Sequence, residues 1–428
     1  MAPAPILARD IRVESDGATT RFSCAVVADG AGLPPRLWFR FPAAASSFID
    51  PSGSPFVPIL MLVAMRQRRD LHVEAEVSPA LLQALERVMA IYADWSADFE
   101  PLWRVKVTAD AATIPRTRGH SAGAFFSCGL DSTYSLLRNV QRYPPGDARA
   151  IDHLLVVHGF DVELDDQPLF DDLMDRARRV AAHFGKAVLP VATNVREGGF
   201  RCVDWQHYGH GPSLASIGLA LGGGLHTVYI PATDDLAHGL EPWGSHPAVD
   251  PLWSTETVEV VHDGAEARRI DKLQSIAREP LFLGTLRVCM AGQRRTYNCG
   301  VCFKCLRLMI KLDLAGVLRD ATTFPTRLDL DAVRRVSIPA GRARRYWSDV
   351  QEWARELGRS DVVTAIDVAF ARNQRADYEW LAPCAGILTR VGVSAERLRH
   401  LKRRVLRRRA QRNAGSVSAP GRGFQPSE

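Results

Sequence analysis

The sequence predicts an α/β protein: a doubly wound parallel sheet, preceded by an N-terminal α+β segment and followed by a helical C-terminal extension. Three observations lead there. Residues 119–315 alternate short apolar runs with helix-period segments, the pattern of repeated β-α units whose strands are covered on both faces. A Ser/Gly-containing turn, residues 127–133, follows the first of those runs and opens a helix. Four of the eight cysteines, Cys289, Cys299, Cys302 and Cys305, crowd into RVCMAGQRRTYNCGVCFKC.

Within 1–118, the alternating stretches 20–26 and 36–41 read as strands, and 71–77 reads as extended. Ser78 then caps a helix with Pro79 at its first position (PALLQALERVMAIYADW). Residues 103–108 read as a closing strand. No catalytic constellation falls here, so the segment reads as an accessory α+β domain, a cap or a dimerisation module that admits a homodimer. In 119–318, strands at 122–127, 153–159, 187–193 and 226–232 alternate with helices at 133–140, 169–184 and 213–221. Ligands in such sheets sit beyond the carboxyl ends of the strands. Residues 319–412 are helical in pattern (344–356, 360–373, 395–408), and the Gly/Ser/Pro-rich 413–428 reads as disordered.

At 428 residues, 46% hydrophobic and 24% charged, the chain is globular in composition and long enough for two or three domains. The net charge of +6 is unevenly placed. Residues 396–412 hold nine Arg/Lys and one Glu, so the rest of the chain sums to −2. That basic end suits nucleic acid or an acidic partner, or is a solvated helical face. The apolar run 56–65 is too short to span a bilayer. Cys24, Cys128, Cys202 and Cys384 are scattered, unlike a secreted disulfide framework, and the N-terminus lacks the features of a signal peptide; a cytoplasmic protein is expected.

Four thiolates converging on one point are what tetrahedral Zn²⁺ takes, and a closed thiolate shell is structural rather than catalytic. An iron–sulfur cluster is the second choice for the same donors. The turn Ser127-Cys128-Gly129-Leu130-Asp131-Ser132-Thr133 is the first place to look for chemistry. Amides at a helix N-terminus attract anions. Gly129 permits close approach, the hydroxyls of Ser127, Ser132 and Thr133 suit phosphate oxygens, and Asp131 suits Mg²⁺. The Gly-Lys-Ser/Thr element of a Walker loop is missing, and so is the G-x-G-x-x-G of a dinucleotide site. An ordinary capped β-α turn is the alternative.

This segment resembles the S-G-G-x-D-S loop of the PP-loop ATP pyrophosphatases, in the adenine nucleotide α-hydrolase-like superfamily, with Cys128 where that family has Gly. Cys289 with Cys299-Gly300-Val301-Cys302-Phe303-Lys304-Cys305 is similar to the C-terminal zinc site of one branch, the 7-cyano-7-deazaguanine synthases. The resemblance covers about residues 120–315 and implies a HUP/PP-loop type of sheet. It implies ATP, Mg²⁺ and Zn²⁺ as cofactors, and an ATP-dependent C–N ligase that adenylates a carboxylate and releases AMP and pyrophosphate. The implied substrates are a heterocycle like 7-carboxy-7-deazaguanine and a nitrogen donor, either ammonia or an amine, including one carried by a protein. Asp131, Lys272 and Asp161 are the expected catalytic residues. The nucleotide is expected on 127–133 and His158, and zinc on the four cysteines.

Three further groups are candidates. Arg196, His207, His210 and Ser213 lie in or after the long loop behind the third strand. Trp243, His246, Asp250 and Trp253 follow the fourth, where the resemblance implies a planar heterocycle. Lys272 in DKLQSIA can neutralise charge at an α-phosphate. The competing functions are a tRNA or nucleic-acid modifying enzyme of the same superfamily, and a degenerate nucleotide-binding scaffold.

Overall fold

The computed structural model describes residues 3–30, 32–97, 101–113, 118–238, 241–289 and 296–388, without the side chains of 238 and 375–388. The basic stretch 396–412 and the tail 413–428 lie outside the described residues. The N-terminal segment supplies β1 (Ile6–Ser15), β2 (Thr19–Val27), β3 (Arg36–Pro42), α1 (Val57–Gln67), β4 (Leu71–Val77), α2 (Pro79–Ser96) and β5 (Val107–Ala112). The central segment adds β6 (Ser121–Phe125), α3 (Leu130–Arg142), β7 (Ile151–His158), α4 (Gln167–Phe184), β8 (Ala187–Thr193), α5 (His210–Ala220), β9 (Leu225–Pro231) and β10 (Glu259–Asp263). Then come α6 (Arg269–Ile276), α7 (Pro280–Leu283), α8 (Phe303–Leu314), α9 (Leu330–Arg335), α10 (Arg342–Glu356) and α11 (Ser360–Leu388).

All ten strands belong to one sheet, in the order β10-β9-β6-β7-β8-β3-β2-β1-β4-β5. The five central strands run parallel, with β6 between β7 and β9. This is a Rossmann-like order. The chain turns one way from β6 to β7 and β8, then crosses back to β9 and β10. The crevice at that reversal, past the carboxyl ends of β6 and β9, is where such sheets bind ligands. Side chains alternate between two cores, as a pleated strand requires. Leu155 of β7 belongs to the core that holds Phe39, Leu60, Ile217 and Trp253, while its neighbours Leu154 and Val156 belong to the one that holds Leu136, Leu173, Leu273 and Met309. A third cluster, including Leu306, Trp347 and Ile366, fixes the C-terminal helices onto α8.

The accessory segment joins the central sheet directly. Strand β3 runs antiparallel to β8, with Phe39 opposite Thr193 and Arg40 opposite Ala192. The backbone ladder there is short, and Asn194 lengthens it. Its Oδ1 accepts from the Trp38 amide at 3.0 Å and its Nδ2 donates to the Arg36 carbonyl at 2.9 Å, so a side-chain amide stands in for a peptide group. The neighbouring Thr193 hydroxyl donates to the Trp38 carbonyl.

Helix α1 is buried on every side, with all residues from Val57 to Met65 inside. That accounts for the long apolar run without a membrane, and among the described residues no helix is long and apolar enough to cross one. Helix α2 begins as expected, with the Ser78 hydroxyl accepting from the Leu81 amide. The closing strand differs from expectation. It starts at Val107, because Leu102 is tied to Ser96 and the Trp103 amide donates to the Met65 carbonyl. Asn194→Ala strands one buried donor and one buried acceptor at the seam. The expected loss is about 2–3 kcal/mol of unfolding free energy, read by denaturant titration.

Candidate functional site

A cleft of about 1020 Å³ opens past the carboxyl ends of β6, β7 and β9. Ser127, Gly129, Leu130, Asp131 and Ser132 line it; Cys128 and Thr133 do not. The turn is held from within. The Ser127 amide donates to Ser132 Oγ at 3.3 Å, and that hydroxyl donates to the Gly129 carbonyl at 3.1 Å. Gly129 is the N-cap of α3 and offers no side-chain hydrogen bond, so no side chain caps the helix.

Cys128 adopts φ 54°, the left-handed conformation that glycine takes freely and cysteine takes at a cost of about 1–2 kcal/mol. The turn thus keeps a glycine-like path with a larger residue in it. The thiol is fully buried, and burial pushes its pKa up to about 12. It faces Tyr297 in the core and away from the cleft.

The cleft is cationic. Arg269, Arg287, Lys304, Arg307, Arg342 and Arg344 line it, against Asp131, Asp161 and Glu241. Arg269 reaches Asp131 Oδ2 at 3.1 Å, and Lys272 Nζ lies 3.6 Å from Oδ1. Both oxygens of Asp131 therefore face protein cations. Mg²⁺ brought to Asp131 would be repelled by both cations, although Oδ1 itself is buried and makes no hydrogen bond. Lys272 is buried, donates to the Ala232 carbonyl at 2.6 Å and does not line the cleft; burial lowers its pKa. It props Asp131 from behind.

Arg287 and Arg307 are each only 6% exposed, and no carboxylate among the described residues lies within ion-pair distance of either. Arg287 Nε has no hydrogen-bond partner. The Arg307 guanidinium sits 4.7 Å from the ring centre of Tyr346, and burial, with Arg269 nearby, lowers its pKa. Buried cations left without partners are rare because desolvation costs several kcal/mol.

The four cysteines come together as expected, with all four Sγ atoms within 4.8 Å of one another. Cys299 and Cys305 Sγ are 3.8 Å apart, which matches the edge of a tetrahedron with arms of about 2.3 Å, the Zn–S length. Backbone amides of Cys302 and Cys305 point at the Sγ atoms of Cys299 and Cys302, at 3.3 and 3.4 Å. Gly300, at φ 70°, makes the turn between the ligands and leaves no room for a Cβ beside Pro325. The cluster can hold a metal ion and its chemistry is compatible with Zn²⁺. It also places the cleft cations: Arg287 precedes Cys289 by two residues, and Lys304 and Arg307 flank Cys305. The Arg287 amide donates to the Cys128 carbonyl at 2.9 Å, joining this segment to the turn.

The remaining candidates divide. Asp161 is exposed and lines the cleft, as do His207, His210 and Trp243. His158 does not: it is buried, stacked on Phe170 at 4.2 Å, with Nε2 at 2.8 Å from the Glu163 carbonyl. His210 has both nitrogens engaged, Nδ1 with the Trp205 carbonyl and Nε2 with the Ser245 amide, so it holds no metal. Ser213 bonds the Gly209 carbonyl within its own helix, and Arg196 bonds the Phe160 carbonyl. His246, Asp250 and Trp253 are buried. Arg287, Lys304 and Arg307, which sequence reasoning missed, are the cations facing the turn; their one sequence signal is adjacency to the cysteines.

Fold and site together define an α/β protein with a Rossmann-like sheet, a cation-lined cleft at its switch point and a four-cysteine cluster behind it. No family model, no curated protein and no solved structure matches the chain. Purified protein is expected to carry one equivalent of zinc by elemental analysis. Cys302→Ser is expected to leave metal sub-stoichiometric and to lower the thermal unfolding midpoint by several degrees, since metal and fold are linked.

Proposed function

We propose that this protein is an ATP-dependent carboxylate-activating ligase resembling the 7-cyano-7-deazaguanine synthase branch of the PP-loop enzymes. The observation that carries the reading is the α3 N-terminus without a side-chain cap, set at the switch point of the sheet and faced by buried Arg287 and Arg307, which have no carboxylate partner among the described residues. Polyphosphate is the anion such an arrangement suits best. A volume near the top of the usual range for small-molecule sites, about 300–1,000 Å³, leaves room for a second substrate.

In the proposed reaction, a carboxylate oxygen of a heterocyclic acid attacks the α-phosphorus of ATP and the bond to the β-phosphate oxygen breaks. Pyrophosphate leaves. A nitrogen nucleophile then attacks the acyl carbon of the adenylate, loses a proton and expels AMP. No protein nucleophile is required; the chain's work is alignment and charge stabilisation. The amides of residues 129–132 and the cations Arg269, Arg287, Lys304 and Arg307 hold the phosphates and absorb charge on departing pyrophosphate. Trp243, with Phe160 and Trp205 on the same cleft, offers aromatic faces to a planar ring. Asp161, an exposed carboxylate at the cleft, takes the proton from the attacking nitrogen.

Zinc, held by the four cysteines, supplies no step; it keeps α8 and the Arg287 segment in register with the turn. Incubation with ATP, 7-carboxy-7-deazaguanine and ammonia is expected to release AMP and pyrophosphate in equal amounts, and no release above the acid-free control contradicts the reading. Asp161→Asn is expected to keep acid-dependent ATP–pyrophosphate exchange while slowing formation of the C–N product about 100-fold.

A further inference from the structure

The resemblance to PP-loop enzymes implies Mg²⁺ at Asp131, and the side chains around that residue disagree. Magnesium is usually held through one or two carboxylates together with phosphate oxygens. Asp131 turns one oxygen to Arg269 at 3.1 Å and the other, which makes no hydrogen bond, to Lys272 at 3.6 Å. The lysine is itself anchored on the Ala232 carbonyl, deep behind the cleft wall. A cation brought to Asp131 meets two fixed positive charges first. Among the described residues, the four cysteines are the one cluster of three or more His, Cys, Asp or Glu side chains suited to a metal.

Positive charge is supplied instead from the other wall. Arg287 and Arg307 are more than nine-tenths buried, line the cleft and have no carboxylate partner among the described residues. Arg287 Nε lacks any hydrogen bond, and the Arg287 backbone is bonded to the turn itself through the Cys128 carbonyl. A guanidinium presents a planar fork of donors that matches phosphate oxygens. Leaving Arg287 without an acidic partner and Arg307 with only the Tyr346 ring face among the described residues, both desolvated, costs the empty protein stability, and a bound anion recovers it.

We infer that this cleft is a magnesium-independent polyphosphate clamp, in which Arg287 and Arg307 close on the anion held at the α3 N-terminus and replace a metal ion on Asp131. The inference deepens the adenylation reading of the same cleft, and it assigns the site a ligand class, pyrophosphate and polyphosphate esters, without a divalent ion as an obligatory co-ligand.

The test is calorimetric titration of the full-length, zinc-loaded protein with two probes, inorganic pyrophosphate and α,β-methylene ATP. Each is titrated in buffer containing Mg²⁺ and in buffer cleared of Mg²⁺ by chelating resin, with zinc content verified afterwards. Pyrophosphate affinity is expected to change by no more than about threefold on removal of Mg²⁺. Arg287→Met and Arg307→Met are each expected to weaken pyrophosphate about tenfold or more in both buffers, the cost of one charge-assisted contact. The same variants are expected to unfold no more easily than the parent when empty, because an uncompensated buried charge has gone. A tenfold or greater loss of pyrophosphate binding without Mg²⁺ overturns the clamp. So does a variant that unfolds earlier while its affinity is unchanged, which makes the arginine structural. If methylene ATP binds only with Mg²⁺, the clamp fails and the adenylation reading stands. If pyrophosphate binds without Mg²⁺ but methylene ATP binds in neither buffer, the clamp stands and the adenylation reading fails.

Discussion

One backbone hydrogen bond, from the Arg287 amide to the Cys128 carbonyl at 2.9 Å, joins the two halves of the site. On one side is the turn between β6 and α3, which the sheet positions. On the other is the short segment 287–289, which leads from the cleft wall into the thiol cluster. That segment keeps its place because Cys289 at its end meets three more thiols at the start of α8. A metal ion there would close this segment onto the start of α8. Lys304 and Arg307, on the first turns of α8, are aimed into the cleft by the same closure.

This arrangement explains why so much positive charge is tolerated in a half-buried wall. Arg287 and Arg307 are desolvated with no carboxylate within ion-pair distance among the described residues, and Lys311 is buried in the same neighbourhood, its pKa pushed well down by burial and by Arg269 and Arg307. A freely packed core would expel such groups to solvent. Here the chain leads them in from both sides of the thiol cluster. In the proposed reading, the stored electrostatic cost is a reservoir that an incoming anion would relieve, the form of preorganisation that binding sites use. The C-terminal extension completes the cleft: Arg342 stacks 4.0 Å from the Trp243 ring centre and pairs with Asp234, which also takes the Tyr346 hydroxyl. The extension is thereby built into the pocket wall.

Much of the architecture was legible in the sequence. Strand β4 falls on the stretch 71–77 read as extended and β8 on the apolar run 187–193 of the β-α alternation, α2 starts at its Ser78 cap, and the cysteine spacing brought four sulfurs together. Elements without a one-sided pattern were not legible. Helix α1 is buried all round and carries no polar face to reveal its period. Strands β1 and β10 mix charge with apolar residues at the ends of the pattern. In the site, the turn was legible because a helix start has local chemistry. Trp243 and Trp253 look alike in sequence, yet one faces the cleft and the other the core, because burial is decided by elements far along the chain. Likewise Lys272 reads as a cleft cation and is a buried strut, while Arg287 and Arg307 acquire their place only when the thiol cluster folds back onto the turn.

The central claim is that the α3 N-terminus and the two arginines delivered by the thiol cluster grip one anion. A crystal structure of the zinc-loaded protein with α,β-methylene ATP tests it most directly. The account predicts phosphate oxygens on the amides of residues 129–132, with the Arg287 and Arg307 guanidiniums within hydrogen-bond distance of them. Phosphates bound elsewhere in the cleft, or those two arginines turned away from a nucleotide at the turn, would contradict it.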